Sequence, residues 1–422
     1  MKILWVKANK ILPVHSGGDL RSFNILRQLA VRDEVIFFSY YDEAADPEYE
    51  RNLQEQLPGA VCVNTGRRQA SVLARGADYL LRLPDAAPYA VSRFSSGKVR
   101  DRLKRCMAEQ RPNVVVCDFL DAAVNFPEQL AIPAVLFQHN VESEIWRRHA
   151  TNGAGPARKL IYGLEFSKML RYEQKMVQRF DHVIAVSEHD KKLMRVWVDP
   201  ARITVVPTGV DTAQFCPSPQ PGQEKPLVMF VGAMDWEPNV DAAKYFCAEI
   251  WPLVLASVPE AKFRIVGRNP DRRVQALTGS SVEVTGRVPS VVEHLREAAV
   301  VVVPLRVGGG TRLKIYEAMA VGKAVVSTTV GAEGLDVHDG RDMILADSPV
   351  RFAAAVTTLL SDADLRSRQG QMAAELAASY GWPRIARQFS EVLQGLVGET
   401  LKSDPASVVA EKNHTAIVDT GL

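Results

Sequence analysis

Val302-Val303-Pro304-Leu305-Arg306-Val307-Gly308-Gly309-Gly310-Thr311-Arg312-Leu313-Lys314-Ile315-Tyr316-Glu317-Ala318-Met319-Ala320-Val321-Gly322-Lys323-Ala324-Val325-Val326-Ser327 decides the fold of this chain. It reads as a buried strand, three glycines, a Thr311 cap, a helix of about three turns and a second buried strand. Glycines let backbone approach a ligand closely, and the helix that follows aims unpaired N–H groups at it. Such an end is an anion site, here with Gly309, Gly310 and Thr311 at its mouth and Arg312 and Lys314 in its first turn. Glu317 lies three residues beyond Lys314 on nearly the same face, where a carboxylate accepts from sugar hydroxyls. A phosphate cradle beside a carboxylate suits a nucleotide-sugar. A strand–glycine–helix unit is also ordinary α/β anatomy, so the stretch alone leaves both readings open.

The same alternation runs outward in both directions, which points to α/β architecture with parallel sheets. In the first half strands are expected near Lys2–Val6, Glu34–Phe38, Ala60–Val63, Asn113–Cys117, Ile132–Phe137 and His182–Val186. Helices are expected near Asp19–Val31, Asp46–Gln56 and Ser95–Gln110, with a long amphipathic one within 142–179. A proline-rich joint, Pro217-Ser218-Pro219-Gln220-Pro221-Gly222, precedes a second series. Its strands are expected near Leu227–Val231, Lys262–Val266, Val282–Val284, Val300–Val303, Ala324–Ser327 and Met343–Ala346. Its helices fall near Val240–Ala256, Val291–Ala298, Thr311–Val321 and Pro349–Leu360. The expectation is two doubly wound Rossmann-like domains facing across a cleft: 1–200, then 201–380, with a last helix over 381–398 crossing back onto the first. Residues 399–422 lose periodicity and read as a disordered tail.

Composition narrows the function classes. The 422 residues are 47% hydrophobic and 24% charged with a formal charge of +2, which argues against a dedicated nucleic-acid binder. No apolar run reaches the roughly 18 residues of a membrane span. Cys62, Cys106, Cys117, Cys216 and Cys247 show no metal-like spacing, so no metal site is expected and reduced thiols in the cytoplasm are. Residues 67–111 hold 11 basic against 4 acidic side chains. That face reads either as solvated helix or as a peripheral contact with anionic membrane, at the inner face of the membrane.

Further loops join the list of candidates. Ser16-Gly17-Gly18-Asp19 opens the first helix, with close approach permitted at Gly17 and Gly18 and Asp19 as cap; it is not the dinucleotide fingerprint. Gln138-His139-Asn140 follows a strand, and His139 can exchange hydrogen bonds near neutral pH. Gly232 follows the first strand of the second series, with Asp235 and Asn239 as helix caps. Arg268, after Gly267, can reach a phosphate. Gly286-Arg287-Val288-Pro289 repeats the pattern.

Taken in order, Gly17-Gly18, His139-Asn140, Val206-Pro207-Thr208-Gly209-Val210-Asp211, Phe230-Val231-Gly232, Ile265-Val266-Gly267, Val284-Thr285-Gly286 and the 308–327 block resemble the retaining glycosyltransferases of family 4, over nearly the whole chain to about residue 398. The resemblance implies the GT-B fold and an acceptor-binding first domain. It implies a second domain that binds a UDP- or GDP-linked sugar as substrate, with no cofactor. It places Glu317 at the second carboxylate of the family's Glu–seven residues–Glu motif, on the donor ribose, and His139 near the reacting sugar as the catalytic group. The motif's first carboxylate is replaced by Gly309. The loop after the first strand of the second domain, Met234-Asp235-Trp236-Glu237-Pro238, lacks the family's basic pair. The diphosphate therefore falls to Arg312 and Lys314, with Arg268 in reserve and no metal required. The implied reaction is metal-independent hexosyl transfer to a glycan, lipid-linked or small-molecule acceptor in cell-surface polysaccharide biosynthesis. Two other readings remain: a sugar-nucleotide epimerase or phosphorylase of the same fold, and a non-catalytic nucleotide-binding assembly protein.

Overall fold

A computed structural model describes the chain except residues 15, 67–71, 153–154, 218–224, 309–311 and 404–422. The chain divides into two compact units, Met1–Val206 with the last helix from Ala386, and Pro207–Ile385. Each is a parallel sheet with helices on it.

The first sheet has seven strands: β1 (Lys2–Ala8), β2 (Glu34–Tyr41), β3 (Val61–Asn64), β4 (Val114–Asp118), β5 (Ala134–Gln138), β6 (His182–Ala185) and β7 (Ile203–Val205), in the order β3-β2-β1-β4-β5-β6-β7. The order reverses between β1 and β4, and ligands of doubly wound sheets bind outside the carboxyl ends at such a switch point. Register matters there. Lys7 of β1 pairs with Asp118 of β4, and Asp118 pairs with Phe137 of β5, so the carboxyl ends of three strands meet.

The second sheet has six: β8 (Leu227–Val231), β9 (Lys262–Val266), β10 (Val282–Gly286), β11 (Val300–Val303), β12 (Ala324–Ser327) and β13 (Ile344–Leu345), ordered β10-β9-β8-β11-β12-β13. Its switch point lies between β8 and β11. All four valines of β11 are buried, as a strand covered on both faces requires.

Several local expectations are corrected. Ser16, not Asp19, caps the first helix (Gly17–Leu29); its hydroxyl accepts from the Asp19 amide at 3.1 Å. The cradle helix starts at Leu313, with Arg312 as its N-cap rather than in its first turn. Asp235 and Asn239 are not caps: Trp236 holds that position in helix Glu237–Tyr245. Helix Val240–Ala256 is broken by a wider turn over Phe246–Ile250, just before Pro252, which has no N–H to continue the ladder. The last helix runs Trp382–Ser403, past the residue where a tail was expected to begin, and 404–422 lie outside the described residues. Phe389 of that helix packs against Trp5 and Phe137, at ring separations of 5.2 and 5.0 Å.

Candidate functional site

In the second unit, the loop after β8 and the cradle helix Leu313–Ala320 converge at the switch point. A Cβ on Gly232 would lie 2.7 Å from Lys314 Nζ and 2.6 Å from Asn239 Nδ2, so any larger residue must displace these side-chain ends. Lys314 Nζ donates to Asn239 Oδ1 at 2.9 Å and sits 4.7 Å over the Phe230 ring. Asn239 in turn donates to the Ala233 carbonyl at 2.9 Å, which explains why it is buried within its helix rather than at the cap. Burial, then the neighbouring Arg312 charge, pull the Lys314 ammonium down to about 7 against the pull of Glu317. Burial pushes Glu317 up to about 7, opposed by Lys314. Both groups thus change charge near neutrality, and an anion placed here would return Lys314 to its charged form.

The other expected phosphate ligands lie around this point. Arg312 is buried with its guanidinium 5.7 Å over the Trp236 ring, and a Cβ on Gly308 would come 2.8 Å from its Nη2. Trp236 itself is 42% exposed, an indole left facing solvent beside the cradle. Gly267 approaches Gly232 so closely that a Cβ there would overlap the Gly232 carbonyl, and the Arg268 carbonyl accepts from the Met234 amide at 3.1 Å. Arg268 is therefore on the adjoining loop. Gly309, Gly310 and Thr311 lie outside the described residues.

In the first unit, His139 ends up within a buried polar cluster. Its Nε2 donates to Asp118 Oδ1 at 2.7 Å and its Nδ1 accepts from Arg21 Nη1 at 2.8 Å, which sets the tautomer. The Phe119 ring stacks on it, centroids 3.7 Å apart and planes 6° from parallel. Burial, with the Arg21 and Lys7 charges, outweighs Asp118 and brings the imidazole down to about 3, so it is neutral and its contact with Asp118 is a hydrogen bond rather than an ion pair. Burial works against ionising Asp118, yet Lys7 and His139 hold it at about 2. Asp118 also accepts from Trp5 Nε1 and Ser22 Oγ, both at 3.0 Å, and pairs with Lys7 at 3.6 Å. Gly18 leaves room for this arrangement, since a Cβ there would sit 2.2 Å from the tip of Phe119. Phe119 holds this place with φ +70°, a backbone region costly for a bulky residue. His139 and Gly18 thus share one cluster, whereas Gly17 opens the neighbouring helix without a described contact to it.

Sequence reasoning missed Lys7, Arg21, Asp118, Phe119, Asn239 and Trp236. The first unit also holds three carboxyls whose charged forms burial disfavours. Burial raises Asp121 to about 6 and Glu173 to about 7; burial, then Glu173 and Asp121, raise Glu142 to about 8. Glu173 accepts from the Glu142 and Ser143 amides at 2.7 and 3.0 Å, so it serves as the cap of helix Glu142–Asn152 from another helix. Among the described residues, no group of three His, Cys, Asp or Glu is arranged to hold a metal ion.

Two family models match the chain: Glycosyltransferase Family 4 over residues 21–214 and Glycosyl transferases group 1 over residues 225–362. The chain belongs to glycosyltransferase family 4. It is 29% identical over 265 residues to the phosphatidyl-myo-inositol mannosyltransferase of Mycolicibacterium smegmatis, a match spanning 60% of this chain and 66% of that protein. Among solved structures, sucrose-phosphate synthase from Thermosynechococcus elongatus superposes with a TM-score of 0.71 at 18% identity, covering 94% of this chain and 99% of that one. Anabaena HepE in complex with UDP-glucose superposes with a TM-score of 0.63 at 14% identity, covering 94% and 100%. These likenesses identify the GT-B fold for the family 4 chain, two Rossmann-like units of seven and six parallel strands.

Proposed function

We propose that this family 4 chain is a retaining hexosyltransferase. It would move a sugar from a UDP- or GDP-linked donor to a hydroxyl of a glycan, lipid-linked or small-molecule acceptor, in cell-surface polysaccharide biosynthesis. One observation carries the reading: Gly232 and Lys314 meet at the switch point of the second sheet, with Lys314 Nζ against a residue that has no side chain and within the electrostatic reach of Glu317. That arrangement offers backbone and a buried cation to a diphosphate and a carboxylate to a ribose. HepE, of the same fold, has been solved with UDP-glucose.

In this reading the donor's C1–O bond to phosphate breaks with its electron pair leaving on the diphosphate. The acceptor oxygen bonds C1 on the same face, and the acceptor's proton passes to the departing phosphate oxygen. Lys314, Arg312 and the helix terminus stabilise the leaving charge, so the cradle needs no metal. The first unit is assigned the acceptor. His139, neutral and fixed between Asp118 and Arg21, is assigned to the reacting sugar; Phe119 must then leave its face. The five cysteines are free, which fits a reducing compartment, the cytoplasm.

Calorimetry with UDP, GDP, ADP and their common sugars tests the donor site. Glu317→Gln is expected to weaken donor binding by about 1.5–3 kcal/mol, the usual worth of a charged hydrogen bond, with the fold intact. Release of nucleoside diphosphate only when acceptor is present separates transfer from epimerisation; unchanged donor affinity in folded Glu317→Gln sinks the assignment of this site.

A further inference from the structure

The long helix Pro156–Arg179 carries six cations and two carboxylates. Both carboxylates turn inward: Glu165 accepts from the Tyr79 hydroxyl and the Tyr89 amide at 3.3 and 2.8 Å, and Glu173 caps helix Glu142–Asn152. The charge this helix shows to solvent is therefore entirely positive, with Arg158, Lys159, Arg171 and Lys175 exposed. The same helix exposes Leu160, Ile161 and Leu164, and its neighbour Val72–Leu81 exposes Leu80 and Leu81. These are five of the twelve exposed large hydrophobic side chains among the described residues, a grouping rather than ordinary scatter.

The end of helix Val72–Leu81 meets the middle of the long helix. The Tyr79 hydroxyl reaches Glu165, and Lys168 Nζ donates to the Leu83 carbonyl at 2.6 Å, so the exposed Leu80 and Leu81 stand on the chain segment that adjoins the long helix. At about 100° per residue, Leu160, Ile161, Leu164, Arg171 and Lys175 fall within an arc of about 100°. Apolar side chains occupy the first half of that stripe and cations the second. No helix among the described residues is long and apolar enough to cross a membrane.

We propose that this ridge docks on an anionic lipid bilayer. Leu80, Leu81, Leu160, Ile161 and Leu164 enter the boundary between headgroups and acyl chains, while Arg171 and Lys175 lie against lipid phosphates. This shifts the membrane contact from the 67–111 region as a whole, where several cations are already spent within the fold. Arg82 pairs with Asp78 and Asp85, Arg102 with Glu109, and Lys98 donates to the Asn64 carbonyl, while 67–71 lie outside the described residues. The inference is independent of the donor site and stands whether or not transfer is demonstrated.

Sedimentation of the full chain with vesicles tests it, using phosphatidylcholine alone and phosphatidylcholine with 30 mole percent phosphatidylglycerol (roughly, a moderately anionic surface). Wild type is expected to pellet with the anionic vesicles and to be released by added salt, because exposed charges are screened. Leu160→Glu/Leu164→Glu and Arg171→Glu/Lys175→Glu are each expected to lower vesicle affinity by tenfold or more, with unchanged circular dichroism. Leu80→Ser/Leu81→Ser, on the other helix, gives an independent reading should either pair fail to fold. Wild type that ignores anionic vesicles, or folded variants that bind as wild type does, overturns the proposal. So does a wild-type dimer that Leu160→Glu/Leu164→Glu converts to monomer without any vesicle binding, since the ridge would then be a contact between copies of the chain.

Discussion

At Lys314, burial costs the ammonium more than Glu317 returns, and the group titrates near 7 instead of near 10.5. A diphosphate beside it would restore the ordinary value, so binding should take up a proton wherever the unliganded lysine is neutral. Affinity for a nucleoside diphosphate is expected to fall as pH rises from 7 to 9, while a bare nucleoside is indifferent. Calorimetry at pH 8.5 in buffers of different ionisation enthalpy would read the proton directly; equal heats across buffers would count against the assignment. Glu142 gives a prediction of opposite character. Its carboxyl is raised from about 4.5 to about 8, so the folded state holds a proton that the unfolded chain releases, and stability is lost as pH rises through that window. Glu142→Gln removes the penalty. Its melting-temperature advantage over wild type should grow as pH rises from about 4.5 to about 8, and the reverse trend would place the source of the shift elsewhere.

At the scale of elements, the β8 loop and the cradle helix are fitted to each other by Gly232. Gly232→Ala puts a methyl within 2.7 Å of Lys314 Nζ. The flexible lysine end is the group most able to give way, so the variant should fold yet bind nucleoside diphosphate at least tenfold more weakly; retained affinity would mean that Lys314 does not need that position. This crossing was legible in the sequence because each half is a local motif. β8, β9, β11 and β12 match their expected bounds end for end: β8, β11 and β12 are short buried apolar runs bounded by turn residues, and β9 alternates polar and apolar residues at its start. β7, only three residues long at the sheet edge, gave no such pattern, and helix Ala363–Ala378 begins with a mostly polar run. The cluster around His139 was largely illegible. Lys7 and Asp118 are 111 positions apart and meet through strand register. Phe119 and Arg21 belong to no motif. Inward-turned Glu165 and Glu173 look like any charge on a helix until their partners are placed.

At the scale of the whole molecule, the first unit is discontinuous: its chain leaves at Val206 and contributes again from Ala386. Phe389 and Leu393, both fully buried, belong to that returning helix, and burying each is worth about 1.5–3 kcal/mol. A chain ending at Gly381 uncovers the Trp5 and Phe137 rings on which Phe389 rests. Such a truncation should lose cooperative melting of the first unit, and a single transition at the full-length midpoint would show that the helix is dispensable. The same arrangement constrains the order of events during synthesis. A ribosome that has made the first 206 residues must still make the second unit before Phe389 appears, which at about 5–20 residues per second takes on the order of ten to forty seconds. Throughout that interval the nascent first sheet carries an uncovered aromatic patch. A chaperone that shields it is therefore expected to matter more for the yield of this protein than for one whose first domain is complete when its last strand emerges.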